Sequence, residues 1–413
     1  MLQTHRAAYL IAGVMFIAAP LTQAQETAAD AGTAGGGEET RFPGEFGGGR
    51  VKTHVSGLAF YTDNFYNQQG SSSAEGLLVA PGLDFLTRSS KIEFGGLVDA
   101  DYGTFNTPGG QDNYLDWRAR LNLSGRTSVR SLFRLDGSAQ SGHDPFGVDR
   151  TEDVTARGIE LDEWRRNQAG LHYRFGAPGA TFNAEVGTGT IQKHYTTNTG
   201  ATEPLNYRAN TGDYTVFYNY SPKTAALINF ERTGISFDRG FIAPGAVTRD
   251  GTLYRLRGGV HWLATGKTAG DVRVGYHRRL FDDGSTPING LDWEAGVDWA
   301  PIPRTQVRFE SAYQEQESYR SDARVIQLRS LSVDWKYSID AKTRTDVRVE
   351  RITAGFDAST RDDTIQSLTF GAERLMLSYL WLVGNAALIQ RDSSVATREY
   401  DRMNLFVGVR LGR

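Results

Sequence analysis

The sequence predicts an all-β chain folded as a transmembrane antiparallel up-and-down β-barrel of about 18 strands, with 16 as the alternative count, and three observations predict it. From about Val51 onward apolar residues recur with a period of two, as in a strand with one face in water and the other in an apolar medium. The alternating segments run about 10 to 14 residues, longer than the usual strand of about 5 to 6 and enough to cross a bilayer when tilted. Tight turns alternate with long polar stretches, the asymmetry of a barrel with short periplasmic turns and long extracellular loops.

At the N-terminus, His5 and Arg6 precede an apolar run from Ala7 to Ala19, and Thr22-Gln23-Ala24 places small residues where a signal peptidase cuts. Residues 1–24 therefore read as a signal peptide, with cleavage near Ala24. The run is shorter than the roughly 20 residues of a spanning helix. Residues 25–50 are rich in Gly, Ala, Thr and Glu and include Gly35-Gly36-Gly37 and Gly47-Gly48-Gly49, a composition that buries no core and predicts a flexible periplasmic tail. The barrel is assigned residues 51–413.

Along the barrel region the alternation is explicit. Ile92, Phe94, Val98 and Tyr102 share one face while Glu93, Asp99 and Asp101 share the other, with Leu97 the exception. Leu256, Val260 and Trp262 oppose Arg255, Arg257 and His261, and Leu291, Trp293, Val297 and Trp299 oppose Asp292, Glu294 and Asp298. A soluble sandwich also alternates. Lipid is favoured by aromatics at the ends of the apolar faces: Tyr102, Trp117, Tyr173, Tyr254, Trp262, Tyr276, Trp293, Trp299 and Trp335 form the expected lipid-facing girdle. A secreted sandwich, propeller or solenoid is the rival fold.

Turns are expected at Arg126-Thr127, 176–179, 221–224, 265–268, 301–305 and 340–343, mostly a turn residue, a basic residue and then Thr. Between them lie the longer stretches 62–74, 105–112, 140–164, 194–207, 234–251, 281–290, 314–323, 356–363 and 391–400. The stretch from Gln140 to Trp164 carries Asp144, Asp149, Glu152, Asp153, Glu160, Asp162 and Glu163, and is expected to be a solvated external loop in preference to a folded-in gate. The last strand, Asn404 to Leu411, points Leu405, Val407, Val409 and Leu411 outward, a terminal signal for barrel-assembly machinery, although it ends in Gly412-Arg413 without a final aromatic.

Several chemistries are excluded or disfavoured. The chain has 0 Cys, so it has no disulfide, thiol nucleophile or Cys-based zinc site. With 45 basic and 48 acidic side chains, it lacks the basic field of a nucleic-acid binder. Ala264-Thr265-Gly266-Lys267-Thr268 imitates the end of a phosphate loop, but the earlier Gly is replaced by His261, which makes the segment a tight turn. The histidines show no close metal-binding spacing, and no Gly-x-Ser-x-Gly elbow occurs. No enzyme activity, cofactor or metal is expected.

The inward face carries the functional expectation. Asp99, Asp101, Asp116, Arg118, Arg120, Arg130, Arg134, Arg174, Arg255, Arg257, Arg273, Arg279, Asp292, Glu294, Asp298, Arg308 and Glu310 are expected to line the lumen, most of them in cross-strand ion pairs that brace the wall. A barrel of 18 strands is too wide for side chains to fill, so a watery, mixed-sign channel for a hydrated solute follows.

Tyr61-Thr62-Asp63-Asn64 at the end of the first strand, Pro81-Gly82-Leu83 in the second, Glu163-Trp164-Arg165-Arg166-Asn167 entering the sixth, and the repeated basic-Thr turn resemble the putative β-barrel porin family 2. That family's barrels are often encoded with exopolysaccharide synthesis and export machinery. The resemblance implies a Gram-negative outer-membrane conduit for a secreted polysaccharide, working with a periplasmic polysaccharide-export protein. Two other functions stay open: a diffusion porin for small hydrophilic solutes, and a structural or adhesion barrel with a closed lumen.

Overall fold

Backbone pairing follows the period-two pattern through eighteen strands: β1 (Gly49–Thr62), β2 (Ala74–Arg88), β3 (Ile92–Thr107), β4 (Gly110–Ser128), β5 (Ser131–Asp144), β6 (Asp162–Phe175), β7 (Phe182–Tyr195), β8 (Tyr207–Ser221) and β9 (Thr224–Phe237), then β10 (Gly251–Thr265), β11 (Thr268–Phe281), β12 (Ile288–Trp299), β13 (Thr305–Glu317), β14 (Val325–Ser338), β15 (Thr343–Phe356), β16 (Asp362–Leu377), β17 (Leu380–Ser393) and β18 (Tyr400–Gly412). This computed structural model describes residues 49–412, apart from 71, 108, 109, 148, 154–159, 178, 241–247, 266 and 321. The expected signal peptide, and the expected tail up to residue 48, lie outside the described residues.

Every strand pairs antiparallel with its neighbours in the chain. β18 returns to β1 from His54↔Gly412 to Thr62↔Asn404, so the sheet closes on itself with 18 strands. Closure leaves no long edge of unpaired backbone, which is the condition for a sheet to sit in hydrocarbon.

Two of the family-like segments have local physical reasons. Beyond the last β1–β18 ladder pair, the Met403 amide donates to Asp63 Oδ1 at 2.8 Å, and Asn64 Nδ2 donates to the carbonyls of Asp401 at 3.0 Å and Gln68 at 2.9 Å. Thr62-Asp63-Asn64 thus clips the closing seam. Pro81 lacks a donor, and the β2–β3 register accordingly skips from Val79↔Tyr102 to Gly82↔Asp99. Gly82 leaves room for the His54 ring, which a Cβ at this position would strike.

Strand lengths run from 12 residues in β12, inside the expected range, to 19 in β4, well beyond it. The expected loop 105–112 is mostly the β3–β4 hairpin, paired as far as Thr107↔Gly110. Arg126-Thr127 lies inside β4, with the turn at residues 129–130. Polarity marks the surfaces that meet water, but above the hydrocarbon a ladder continues without needing an apolar face.

Short connections gather at one end of the barrel (89–91, 129–130, 222–223, 378–379) and, the β3–β4 hairpin excepted, longer ones at the other (63–73, 145–161, 196–206, 238–250). We call these the turn end and the loop end. Outward parity exposes a belt that includes Leu115, Leu121, Leu171, Val216, Ile228, Leu256, Val274, Leu291 and Val407. Leaving such side chains in water would forgo roughly 1.5–3 kcal/mol each, which a lipid surround recovers.

Candidate functional site: the loop end

Two elements turn inward at the loop end. The first is the connection between β5 and β6. Its base is pinned where Asp144, nearly fully buried, accepts from Trp164 Nε1 at 2.8 Å and from the Tyr195 hydroxyl at 2.7 Å. On its return, Asp162 receives Arg150 Nε at 2.6 Å and Asn198 Nδ2 at 2.7 Å. Phe146 and Leu161 join a buried cluster with Phe65 and Tyr66 from the β1–β2 loop. Next to it Phe60, Leu78, Phe105, Tyr114 and Phe406 form a buried, mostly aromatic cluster on β1–β4 and β18. Between them lies a small cavity of about 30 Å³.

From this anchorage the chain crosses the bore. A 3₁₀ turn over Asp149–Asp153 delivers Glu152 to the β15–β17 side of the mouth. Arg361 grips the carboxylate with both terminal nitrogens, at 2.8 and 3.0 Å, and Arg391 binds the same group. Asp363 bridges the two arginines, accepting from Arg361 Nη2 at 2.7 Å and Arg391 Nη2 at 2.6 Å. Arg398 donates to the Glu152 carbonyl. Burial alone would push the Glu152 carboxyl up, but hydrogen bonds from Arg361 and the charge of Arg391 outweigh it and hold the group below the usual carboxylate range. The expectation of a solvated external loop is corrected for part of the stretch: Thr151, Glu152 and Asp162 are buried, while Glu160 and Glu163 are exposed as expected. Acidity suggested solvent, yet Glu152 finds Arg361, Arg391 and Tyr319, and Asp162 finds Arg150 and Asn198.

The second inward element is the loop-end half of the β13–β14 hairpin. β12 pairs with β13 only between Glu294↔Ala312 and Trp299↔Val307. Beyond that point Tyr313, Glu315 and Glu317, which share the parity of the exposed Phe309, contact lumen-parity residues of β11. Tyr313 stacks on His277 with ring centroids 4.5 Å apart, Glu315 lies 3.2 Å from His277, and Glu317 pairs with Arg279 at 2.7 Å. Val325 of β14 is buried against Phe281 and Ile288. The hairpin therefore leaves the wall and tucks beneath β11 and β12.

The two elements meet at Tyr319, whose hydroxyl donates to Glu152 Oε2 at 2.8 Å. Arg249 of the β9–β10 loop ties in two further loops, donating to the carbonyls of Ser318 at 3.0 Å and Pro204 while lying 3.9 Å over the Phe237 ring. Burial pushes its guanidinium down to about 10, and Glu317 and Asp250 offset only part of this, so Arg249 is still charged at neutral pH.

Apart from these contacts the expected lumen residues are held as follows. Arg118 binds Asp99 at 2.9 Å, and Asp116 binds His143 at 3.0 Å. Asp101 pairs opposite Asp116 in the ladder, and the exposed Arg120 stands opposite Leu97. Arg134 binds Glu185 at 2.8 Å, and Arg174 lies 4.4 Å over the Phe217 ring. Asp292 is shared by Arg255 and Arg257, with Glu294 3.5 Å from Arg257. Arg273 binds Asp271 at 2.7 Å. Arg308 lies between Glu310 at 2.7 Å and Asp298 at 3.5 Å. Arg279 belongs to the hairpin contact described above. Arg130 is apart from these, being in the β4–β5 turn and on no strand. Among the described residues no three of His, Asp and Glu converge as a metal-binding set.

Of the expected girdle, Tyr102, Trp117, Tyr173, Tyr276, Trp299 and Trp335 are exposed, whereas Tyr254, Trp262 and Trp293 are half-buried. Sequence reasoning assigned no role to Arg249, Tyr319, Arg361, Arg391 or Arg398. The available signal was the Arg-Asp step at strand–loop junctions, in Arg249-Asp250, Arg361-Asp362 and Arg391-Asp392.

Comparison with known proteins gives a match to the family described as Putative beta-barrel porin 2 over residues 45–413. Among solved structures, Acinetobacter baumannii OccAB4 is 11% identical, with 88% of this chain and 98% of that one covered and a TM-score of 0.46. An anion-selective porin from Comamonas acidovorans is 13% identical, with 88% and 99% covered and a TM-score of 0.39. The FrpB iron transporter from Neisseria meningitidis (F3-3 variant) is 11% identical over 85% of this chain, which spans 62% of that protein, with a TM-score of 0.43. The comparison with curated proteins found no match.

Proposed function

The chain belongs to the Putative beta-barrel porin 2 family, and from that premise we propose that it is an outer-membrane conduit for a secreted exopolysaccharide or capsular polysaccharide, held shut at its outer mouth by its own loops. The observation that carries this reading is the Glu152 contact across the bore. A pore for small solutes works through a standing aperture, whereas a conduit for an exported polymer needs to open only when the polymer engages it. With the short turns in the periplasm, the closure faces outward and the polymer enters from the turn end.

The wall supports the same reading. Its charges are largely neutralised by one another, as in Arg118 with Asp99, Arg134 with Glu185 and Arg308 with Glu310, so the bore favours neither sign. A hydroxyl-rich chain exchanges its water hydrogen bonds for those of such a wall, and passage requires each point of binding to be weak. No covalent step is involved. A periplasmic polysaccharide-export protein is the partner proposed for the turn end, and barrel-assembly machinery the partner for insertion.

The test combines a gene deletion with planar-bilayer recording. The deletion is expected to abolish surface polysaccharide while leaving small-solute uptake normal, and the purified barrel is expected to be nearly silent at neutral pH. Large standing currents would replace export with small-solute diffusion. A silent barrel whose deletion leaves the polysaccharide intact would replace it with a structural role.

A further inference from the structure

The outer face of β8–β12 carries three charged side chains, and all three are arginines at the loop end. Outward parity there gives Arg208 and Asn210 on β8, Arg232 and Ser236 on β9, Thr252 and Tyr254 on β10, Arg278 on β11 and Asn289 on β12. Strand register sets most of these side by side. Arg232 pairs with Tyr254, Tyr254 with Arg278, and Arg278 with Asn289, so one row across four strands reads Arg, Tyr, Arg, Asn. Arg208 lies farther toward the loop end, opposite Ser236. The next outward row toward the turn end is Tyr214, Phe230, Leu256, Tyr276 and Leu291, and all five are exposed. The cationic row therefore borders the apolar belt directly.

All three arginines are exposed, and none takes part in a side-chain hydrogen bond or ion pair among the described residues. This sets them apart from the inward arginines on the same strands. Arg255 and Arg257 share Asp292, and Arg279 holds Glu317. No carboxylate lies on the outward face of these strands; Asp238 and Asp282 lie in the loops beyond. Arg232 and Arg278 are two strands apart, a backbone separation of about 10 Å, with the Tyr254 ring between them. Guanidinium forks match phosphate oxygens two at a time, and a row at the edge of the hydrocarbon sits at the depth of lipid headgroups.

We propose that this face is a docking site for one phosphorylated glycolipid of the outer leaflet, of the lipopolysaccharide type. Arg232 and Arg278 take its phosphate groups, Arg208 takes the sugar-phosphate portion above them, and the acyl chains lie along the row from Tyr214 to Leu291. Charge complementarity and continuity with the apolar belt fix the occupant: a soluble anion would leave the belt uncovered, and a neutral lipid would leave three cations unmatched. The inference rests on placement in the outer membrane and is independent of what crosses the bore.

The test uses purified full-length barrel incubated with lipopolysaccharide, with dephosphorylated lipopolysaccharide, or with phosphatidylglycerol, and counts retained lipid by native mass spectrometry after detergent exchange. Wild type is expected to keep one lipopolysaccharide, and R208Q/R232Q/R278Q to lose retention about tenfold while its heat-modifiable gel mobility is unchanged. The lysine version of the triple variant keeps the charge but not the fork, and is expected to retain an intermediate amount. Arg130→Gln, at the turn end, is expected to change nothing. Equal retention by the triple glutamine variant, equal retention of dephosphorylated lipid, or equal retention of phosphatidylglycerol overturns the proposal.

Discussion

Arg361, at the junction of the β15–β16 loop with β16, donates two hydrogen bonds to Glu152, 209 positions earlier, at 2.8 and 3.0 Å. No other carboxylate described here collects Arg361, Arg391 and Tyr319 together. Glu152→Gln removes the charge while keeping the shape, leaving two buried guanidinium groups with Asp363 as their remaining carboxylate. Breaking a buried pair from one side costs roughly 3 kcal/mol or more, a factor of roughly a hundred in the closed-to-open balance. The expected outcome is a barrel that conducts at neutral pH where wild type is silent. Single-channel recording reads it directly, and unchanged silence would mean that the closure does not depend on this contact.

The same contact sets a pH dependence. Because the Glu152 carboxyl is held below the usual carboxylate range, the closed state binds its proton less readily than an opened state does, and closure strengthens as pH rises through that window. Closure is thus fully present above about pH 5 and is lost as pH falls through the depressed value, below the ordinary glutamate value of about 4.3. Conductance measured between pH 7 and pH 3 is expected to rise only at the acid end. In Glu152→Gln that rise is absent. An opening midpoint near neutrality would point to another group.

The inward hairpin gives a mechanical prediction. Val325 and Ile288 are buried in one cluster with Phe281, and the chain has 0 Cys, so a cysteine pair at these positions would be its only thiols. Oxidised Ile288→Cys/Val325→Cys is expected to hold the β13–β14 hairpin beneath β11–β12 and to suppress both acid-induced current and polysaccharide release, with reductant restoring both. Oxidation that forms the bond without reducing either flux would show that the hairpin stays inward while the bore is open.

Much of the barrel was legible in the sequence because alternation is a local signal. Ile92 to Tyr102 announces a strand without reference to any distant residue, and the strand total follows from repeating that reading. The loop-end closure was illegible for the opposite reason. Glu152 resembles a solvated acid until the fold brings Arg361 and Arg391 to it. Tyr313 and Glu315 keep strand parity with Phe309, so the pattern alone cannot show that β13 has left β12 and turned its outer face onto His277. Local periodicity specifies which residues share a face; the surface that this face meets is decided by long-range contact.

The seam between the first and last strands should be sensitive to a single side chain. Asn64 Nδ2 donates to the Asp401 carbonyl and to the Gln68 carbonyl, and Asn64 is itself buried. Asn64→Ala leaves those acceptors unmatched just above the final ladder pair Thr62↔Asn404, at a cost of about 1 kcal/mol for each lost bond. The expected result is a lower temperature for the heat-modifiable shift in gel mobility, with the folded band still formed at room temperature. An unchanged temperature would show that the seam does not depend on these bonds.

The apolar belt gives the most direct test of membrane placement. Leu256 is outward and 55% exposed, with Phe230 and Tyr276 as its cross-strand neighbours. An arginine here would sit one outward row below Arg232 and Arg278, inside the band that must meet hydrocarbon. Near the bilayer midplane such a change costs about 2–4 kcal/mol, falling toward zero at the interface. Leu256→Arg is therefore expected to lose part of that amount, Val260→Arg, deeper along the same strand, to lose more, and Thr252→Arg, nearer the loop end, to lose almost nothing. Equilibrium unfolding from lipid vesicles measures all three, and a flat response across the series would place this face in water.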